Sequence, residues 1–302
     1  MPKGIFKSDK ITPFLFLAPA LILFLSLSIY PTYYSLKLSF FEWDGLSPQM
    51  KFIGFSNYFK MFSDPILKIA VFNTIYFVVF TVVFQSSLAL FLAVVVESVP
   101  YRALRTFFRT SYFFPAIIST VVVALIWGWM YHPYFGALNN LLKNIGILSR
   151  GERDVILWLQ QDKTLLPSIF GANLWQWTGF NMIIFAAGLQ SIPEELFESA
   201  KIDGANVWQQ FIYITLPSLR LVIAIVIITT MINGLKVFDL FYVLTDGGPA
   251  HKSEVIGTWL YRKAFKHDEM GYGAAIGYSL ALVSFIFTYI YLKRLRRGVS
   301  EK

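Results

Sequence analysis

The sequence predicts an all-α integral membrane protein with six transmembrane helices. Three observations predict it. Hydrophobic residues make up 56% of the 302 positions and charged residues only 15%, against roughly 25% charged in soluble domains. Residues 11–36, 69–96, 110–142, 164–193 and 270–292 contain no Asp, Glu, Lys or Arg, and each run reaches the roughly 20 apolar residues that a helix needs to span a bilayer. The apolar side chains of these runs fall on every helical face, which a helix with one wet side would not tolerate. Helix is the expected form because lipid holds no water to satisfy exposed backbone groups.

The first span is expected at 12–34. Lys3, Lys7 and Lys10 precede it, and Pro31 with the aromatics after it is unlike a cleavage site, so the segment reads as a retained anchor. The second is expected at 71–96, with Arg102, Arg105 and Arg109 crowding a short loop after it. The third and fourth are expected at 108–131 and 167–190. The fifth is less clean, since its charge-free part, 221–235, would be only about 22 Å long as a helix. A hydrocarbon core of about 30 Å then requires the helix to continue through Lys236 and Asp239, giving 218–245. The sixth is expected at 271–292, followed by Lys293, Arg294, Arg296 and Arg297. Basic residues beside helix ends place both termini in the cytoplasm. The outer segments are then about 37–68, 132–165 and 246–269.

Trp43-Asp44-Gly45 and Asp246-Gly247-Gly248-Pro249 carry tight-turn chemistry. A net charge of +8, spread over loops and tails, fits a membrane surface, and no basic face on a soluble fold suggests nucleic acid. The absence of cysteine excludes disulfides and thiolate metal sites. His132, His251 and His267 are isolated in sequence and suggest neither a metal centre nor a catalytic base. The chain reads as one membrane unit across 1–302, without an internal repeat or a soluble domain.

The segment 191–217 lies inside by parity although it is acidic, so charge does not explain its position. Ser191 with Glu194 has the spacing of a capping box, Pro193 suits a helix start, and Glu194 and Glu195 suit its dipole. Asp203-Gly204 should end this short helix. A second should follow, with Trp208, Phe211 and Ile212 on one side and Asn206 as a cap. Small residues at Ser199, Ala200 and Ala205 would let another surface come close. The pattern fits an amphipathic connector lying at the interface, or a docking helix for a soluble partner with Glu198 as its polar anchor.

The string Glu198-Ser199-Ala200, Gly204, Ile214-Thr215-Leu216-Pro217 resembles the EAA loop of bacterial ABC importer permeases, departing only at Ser199, where the family has alanine. Ile192-Pro193, Ala200-Lys201-Ile202-Asp203-Gly204-Ala205, Trp208-Gln209 and Phe211 are similar to its carbohydrate branch. So are residues 238–245 with Gly247-Gly248-Pro249, Phe108-Arg109 with Phe114-Pro115, and Gly54 with Asn57-Tyr58. The resemblance runs from about residue 50 to 250. It implies a cell-membrane permease subunit of a bacterium or archaeon, of the kind that comes first in a pair. It also implies a second homologous permease, a cytoplasmic ABC ATPase dimer and an extracytoplasmic solute-binding protein as partners. Residues Glu198, Ser199, Ala200, Asp203, Gly204 and Ala205 would form the ATPase-coupling helix. The chain has no G-x-x-x-x-G-K-[ST] loop, so ATP and Mg would be bound by the partner ATPase, with no cofactor and no enzymatic activity in this chain.

Polar residues inside spans are candidate pathway residues. Asn173, Trp175, Gln176, Trp177 and Asn181 join amides, which suit sugar hydroxyls, to flat rings, which suit sugar C–H faces. Trp175 and Trp177 would equally serve as interface anchors. Lys236 and Asp239, three apart, would share a helix face and either pair near the outer surface or line a water-filled path, with Asn233-Gly234 one turn earlier suggesting a helix irregularity on the same route. The candidate pathway set is Asn173, Gln176, Trp177, Asn233, Lys236 and Asp239. An ion-driven secondary transporter would want intramembrane acids on repeated, broken helices, and Asp239 alone is available. A membrane enzyme would need a catalytic constellation, and the sequence offers none.

Overall fold

The computed structural model describes residues 12–149, 151 and 154–300; Lys3, Lys7 and Lys10 lie outside them. In order, the helices are α1 (12–38), α2 (Ser56–Ser63), α3 (Pro65–Glu97), α4 (Arg102–Ile117), α5 (Thr120–Met130), α6 (Ala137–Asn144), α7 (Asp162–Gln190), α8 (Glu194–Ile202), α9 (Val207–Ser218), α10 (Arg220–Leu235), α11 (Asp239–Thr245), α12 (Ile256–Phe265) and α13 (Met270–Ser300). A two-residue hairpin pairs Phe41–Glu42 with Lys51–Phe52. Among the described residues, Phe16–Leu38, Pro65–Glu97 and Met270–Lys293 are long and apolar enough to cross a membrane. Counting each bent pair, α4 with α5 and α9 with α10, as one span raises the number to five. Helix α7 has the length, at 29 residues, but its amides lower its hydropathy.

The chain divides into two units. In the first, residues 12–63 with Leu260–Ser279, buried Asn57 ties α2 to the end of α1 by donating from Nδ2 to the Ser39 and Phe41 carbonyls. The Asp44 turn forms as its sequence suggests, with Gly45 at φ +89°. The Ser47 hydroxyl, then the Ser47 and Leu46 amides, hold the Asp44 carboxyl down from 3.8 to about 2. Because the folded value is depressed, the turn's contribution is complete above 3.8 and is lost as pH falls through about 2. Ser47→Ala is expected to raise the Asp44 pKa toward its ordinary value, which a carboxyl NMR titration would read.

In the second unit, residues 64–259 with 280–300, Asp64 caps α3 by accepting from the Ile66 and Leu67 amides. The helix therefore starts before the charge-free run, with Lys68 in its first turns. Two apolar clusters organise this unit. One joins Phe77, Phe170, Phe241, Leu165, Ile169 and Leu240 from α3, α7 and α11. The other joins Ala89, Ala93, Met182, Phe185, Ala186 and Val226 from α3, α7 and α10. Alanines and glycines let these helices close up. A Cβ on Gly188 would lie 2.8 Å from side-chain atoms of both Leu219 and Val222.

Three expectations are corrected. The span expected at 108–131 is two helices, α4 and α5, meeting at 96°. Pro115 removes a backbone donor from the last turn of α4, and Ile118 and Ser119 then turn extended, with ψ of 137° and 135°. The arginines expected in a loop lie on α4 itself. The span expected at 218–245 is also broken. Helix α9 meets α10 at 68°, and α10 ends at Leu235, so Lys236–Phe238 separates it from α11. An unbroken helix would carry Lys236 and Asp239 into lipid or core, whereas the break leaves both exposed to a cavity. Finally, Ser191 does not cap α8. It ends α7, bonding the Gly188 carbonyl, and α8 starts after Pro193 without a side-chain cap.

Candidate functional site

A cavity of about 270 Å³ lies within the second unit, in the layer between its two apolar clusters. Helix α3 supplies Thr81 and Gln85 from a π-helical turn, Thr81–Gln85. Such a turn inserts one residue and loosens the backbone ladder, a common device at functional sites. Thr81 Oγ1 takes up the Phe77 carbonyl at 3.0 Å. Helix α7 supplies Asn173, Trp177, Phe180 and Asn181; α10 and the break after it supply Thr229, Thr230, Asn233 and Lys236, and α11 supplies Asp239.

Five of the six sequence-selected pathway residues meet here: Asn173, Trp177, Asn233, Lys236 and Asp239. Lys236 and Asp239 are exposed and lie on opposite sides of the helix break rather than on one helical face. Gln176 does not line the cavity. It is fully buried, and its Nε2 donates to the Ile118 carbonyl at 3.0 Å and Thr120 Oγ1 at 3.2 Å. It thus satisfies the backbone freed at the α4–α5 break. Trp175 lies outside the lining and meets Trp127 edge-on.

Gln85 escaped the sequence reading. Its Oε1 accepts from Asn173 Nδ2 at 2.7 Å, and Asn181 Nδ2 donates to Thr230 Oγ1 at 3.1 Å. These bonds fix amides that would otherwise be costly to bury. The available signal was an amide inside an otherwise apolar run. The lining therefore combines amides, hydroxyls, four aromatic side chains (Phe77, Trp177, Phe180 and Phe238), one lysine and one aspartate.

The loop 191–217 forms a separate feature. No residue of α8 is buried. Its C-terminus closes as a Schellman motif, with the Ala205 amide on the Ala200 carbonyl and the Gly204 amide on the Lys201 carbonyl. Gly204 supplies the required left-handed residue at φ +79°. Asn206 and Gln209 make a reciprocal capping box for α9. The Ser199 hydroxyl bonds back to the Glu195 carbonyl at 2.9 Å, so it spends its polarity within its own helix. Beside Glu198 and Ser199, the loop exposes Ile202 (87%), Val207 (82%) and Trp208 (68%).

Residues 85–300 match the family described as binding-protein-dependent transport system inner membrane component. The chain is 37% identical to the probable ABC transporter permease protein YurN of Bacillus subtilis, over 97% of this chain and 99% of that protein. It is 33% identical to the arabinooligosaccharides transport system permease protein AraP of the same organism, over 96% and 90%. A chain of a bacterial alginate ABC transporter, solved in complex with alginate pentasaccharide-bound periplasmic protein, superposes with a TM-score of 0.82 and 26% identity, covering 96% of each chain. The chain belongs to the binding-protein-dependent transport system inner membrane components, and is a permease subunit of an ATP-driven importer rather than an ion-driven secondary transporter.

Proposed function

We propose that this permease carries a sugar or related polyol, through a path it forms with a second homologous permease. The observation that carries the substrate class is the cavity lining. Asn173, Asn181, Asn233 and Gln85 offer donors and acceptors for hydroxyls, while Trp177 and Phe180 offer flat apolar faces. Small-molecule sites have this composition, a largely apolar wall with a few placed polar groups. The arabinooligosaccharide and alginate transporters among its relatives support the same class.

The chain does no chemistry of its own in this reading. A cytoplasmic ATPase dimer binds ATP and Mg and docks on α8 through Glu198, Ser199, Ala200, Asp203, Gly204 and Ala205. The exposed apolar residues beside them support a covered surface. An extracytoplasmic binding protein delivers the solute, both termini lie in the cytoplasm, and six spans cross the membrane. ATP-bound and ATP-free motors then select between inward-facing and outward-facing states by their differential affinity for the two.

The test is reconstitution. Uptake of labelled oligosaccharide into proteoliposomes should require the second permease, the ATPase with ATP, and the binding protein. Uptake by this chain alone on an ion gradient would overturn the reading. Within the complex, Trp177→Ala and Asn233→Leu should each lower uptake about tenfold, the loss expected for a contact worth about 1.4 kcal/mol. Pull-down of the ATPase should be unchanged in both. A thermal-shift screen on the cognate binding protein would name the sugar.

A further inference from the structure

We propose that Glu97 is a positioning residue that locks α3, α4 and α7 together where the docking loop begins, so that a pull on the loop reaches the cavity. The inference rests on reading 191–217 as the ATPase-docking element. Glu97 is the last residue of α3, and its side chain is 13% exposed. Arg109 of α4 donates through Nε to Glu97 Oε1 at 2.8 Å, and its Nη2 donates to the same oxygen. Arg105 Nη1 lies 3.6 Å from Oε2, while its Nε and Nη2 hold the Val99 carbonyl. Gln190, the last residue of α7, donates from Nε2 to Oε2 at 3.2 Å. One carboxylate on α3 therefore gathers donors from α4 and from α7.

The docking loop begins at Ser191, directly after Gln190. Its far end is held as closely, because Gly188 of α7 leaves no space against Leu219 and Val222. A displacement of α8 is thus delivered to Gln190 with little slack. From there the carboxylate passes it to α3, which carries Thr81 and Gln85 of the cavity, and to α4. At the α4–α5 break, Gln176 of α7 grips Ile118 and Thr120, and Thr120 also lines the cavity. Charge-assisted bonds suit this task because they are strong and directional, and rigid elements with such joints are what carry coupling between distant sites.

The test uses the complete transporter with Glu97→Gln, Gln190→Leu and the exchange Glu97→Arg with Arg109→Glu. Both single variants should keep the ATPase in pull-down and keep basal ATP hydrolysis. Sugar transported per ATP hydrolysed should fall about tenfold, and the exchange, which restores the α3–α4 pair but sets a second guanidinium beside Arg105, should recover part of it. Gln190→Leu decides the matter if Glu97→Gln fails to reach the membrane, since it leaves the Glu97–Arg109 pair intact. An unchanged transport ratio in Gln190→Leu overturns the proposal. If Glu198→Lys leaves ATPase binding intact, the docking reading itself fails. If Glu198→Lys releases the ATPase while Gln190→Leu transports normally, only the clamp fails.

Discussion

Glu198→Lys is expected to reduce transport by about a hundredfold or more while leaving insertion in the membrane unchanged, the loss of a few kcal/mol that reversing a charge in a docked interface brings. The side chain is exposed on α8, where no residue is buried, so the substitution removes nothing from the permease's own core. Gly204→Val should have a similar effect by a different route. A Cβ at Gly204 would meet no atom within 4 Å, so space is not the constraint. The constraint is φ +79°, a region that costs an L-residue about 1–2 kcal/mol and a β-branched one more. Valine would open the Schellman closure and change the angle between α8 and α9. Immunoblots of the membrane fraction, ATPase pull-down and uptake would be measured together. Full uptake in both variants would sink the docking assignment.

The fold is legible wherever the physics is one-dimensional. The charge-free runs 11–36, 69–96 and 270–292 fall on helices long and apolar enough to cross a membrane, because charge near the middle of a span is costly. The loop 191–217 is legible because its turn chemistry is local: Gly204 and Asn206 act within four residues of themselves. The breaks are legible only as local weak points, Pro115 and Gly234, because what stabilises their geometry is distant in sequence. The Ile118 carbonyl, freed from its helix, is satisfied by Gln176, 58 residues away. The break after Leu235 comes one residue past Gly234, where the sequence suggests an irregularity, but the Val237 carbonyl that backs onto Gly257, where a Cβ would lie 2.7 Å away, is a contact the sequence does not show. Gln85 was hidden for the same reason. Its partner Asn173 is 88 residues further on, and the π-helical turn that presents it has no sequence signature. Buried Glu254 is another such case. Its carboxyl group accepts from Thr258 Oγ1 and packs against Gly247, so the glycine of the expected tight turn also makes room for a buried polar side chain.

Gly179→Ala is expected to prevent recovery of folded protein, although alanine is the better helix former. A Cβ at Gly179 would lie 1.8 Å from the Tyr112 carbonyl oxygen and 2.3 Å from its carbon. Both are backbone atoms of α4, so no rotamer change relieves the overlap. Ordinary contact needs about 3.4 Å, so α4 and α7 would have to part by about 1.5 Å, against interiors packed to crystal density. Parting them would weaken the Gln176 bonds to Ile118 and Thr120, which hold the α4–α5 break beside the cavity. A loss of about 3 kcal/mol or more is expected, above the usual overpacking range because the backbone itself is displaced. Gly128→Ala is the matched control. It too is a helical glycine, but its Cβ would meet only Leu244 Cδ2, at 3.9 Å. Relief of unfolded-state entropy should make that change neutral or stabilising by about 0.5–1 kcal/mol. Monodisperse yield after detergent extraction and the thermal midpoint separate the two. If both variants behave like the native chain, the close approach of α4 to α7 is not what sets the cavity's geometry.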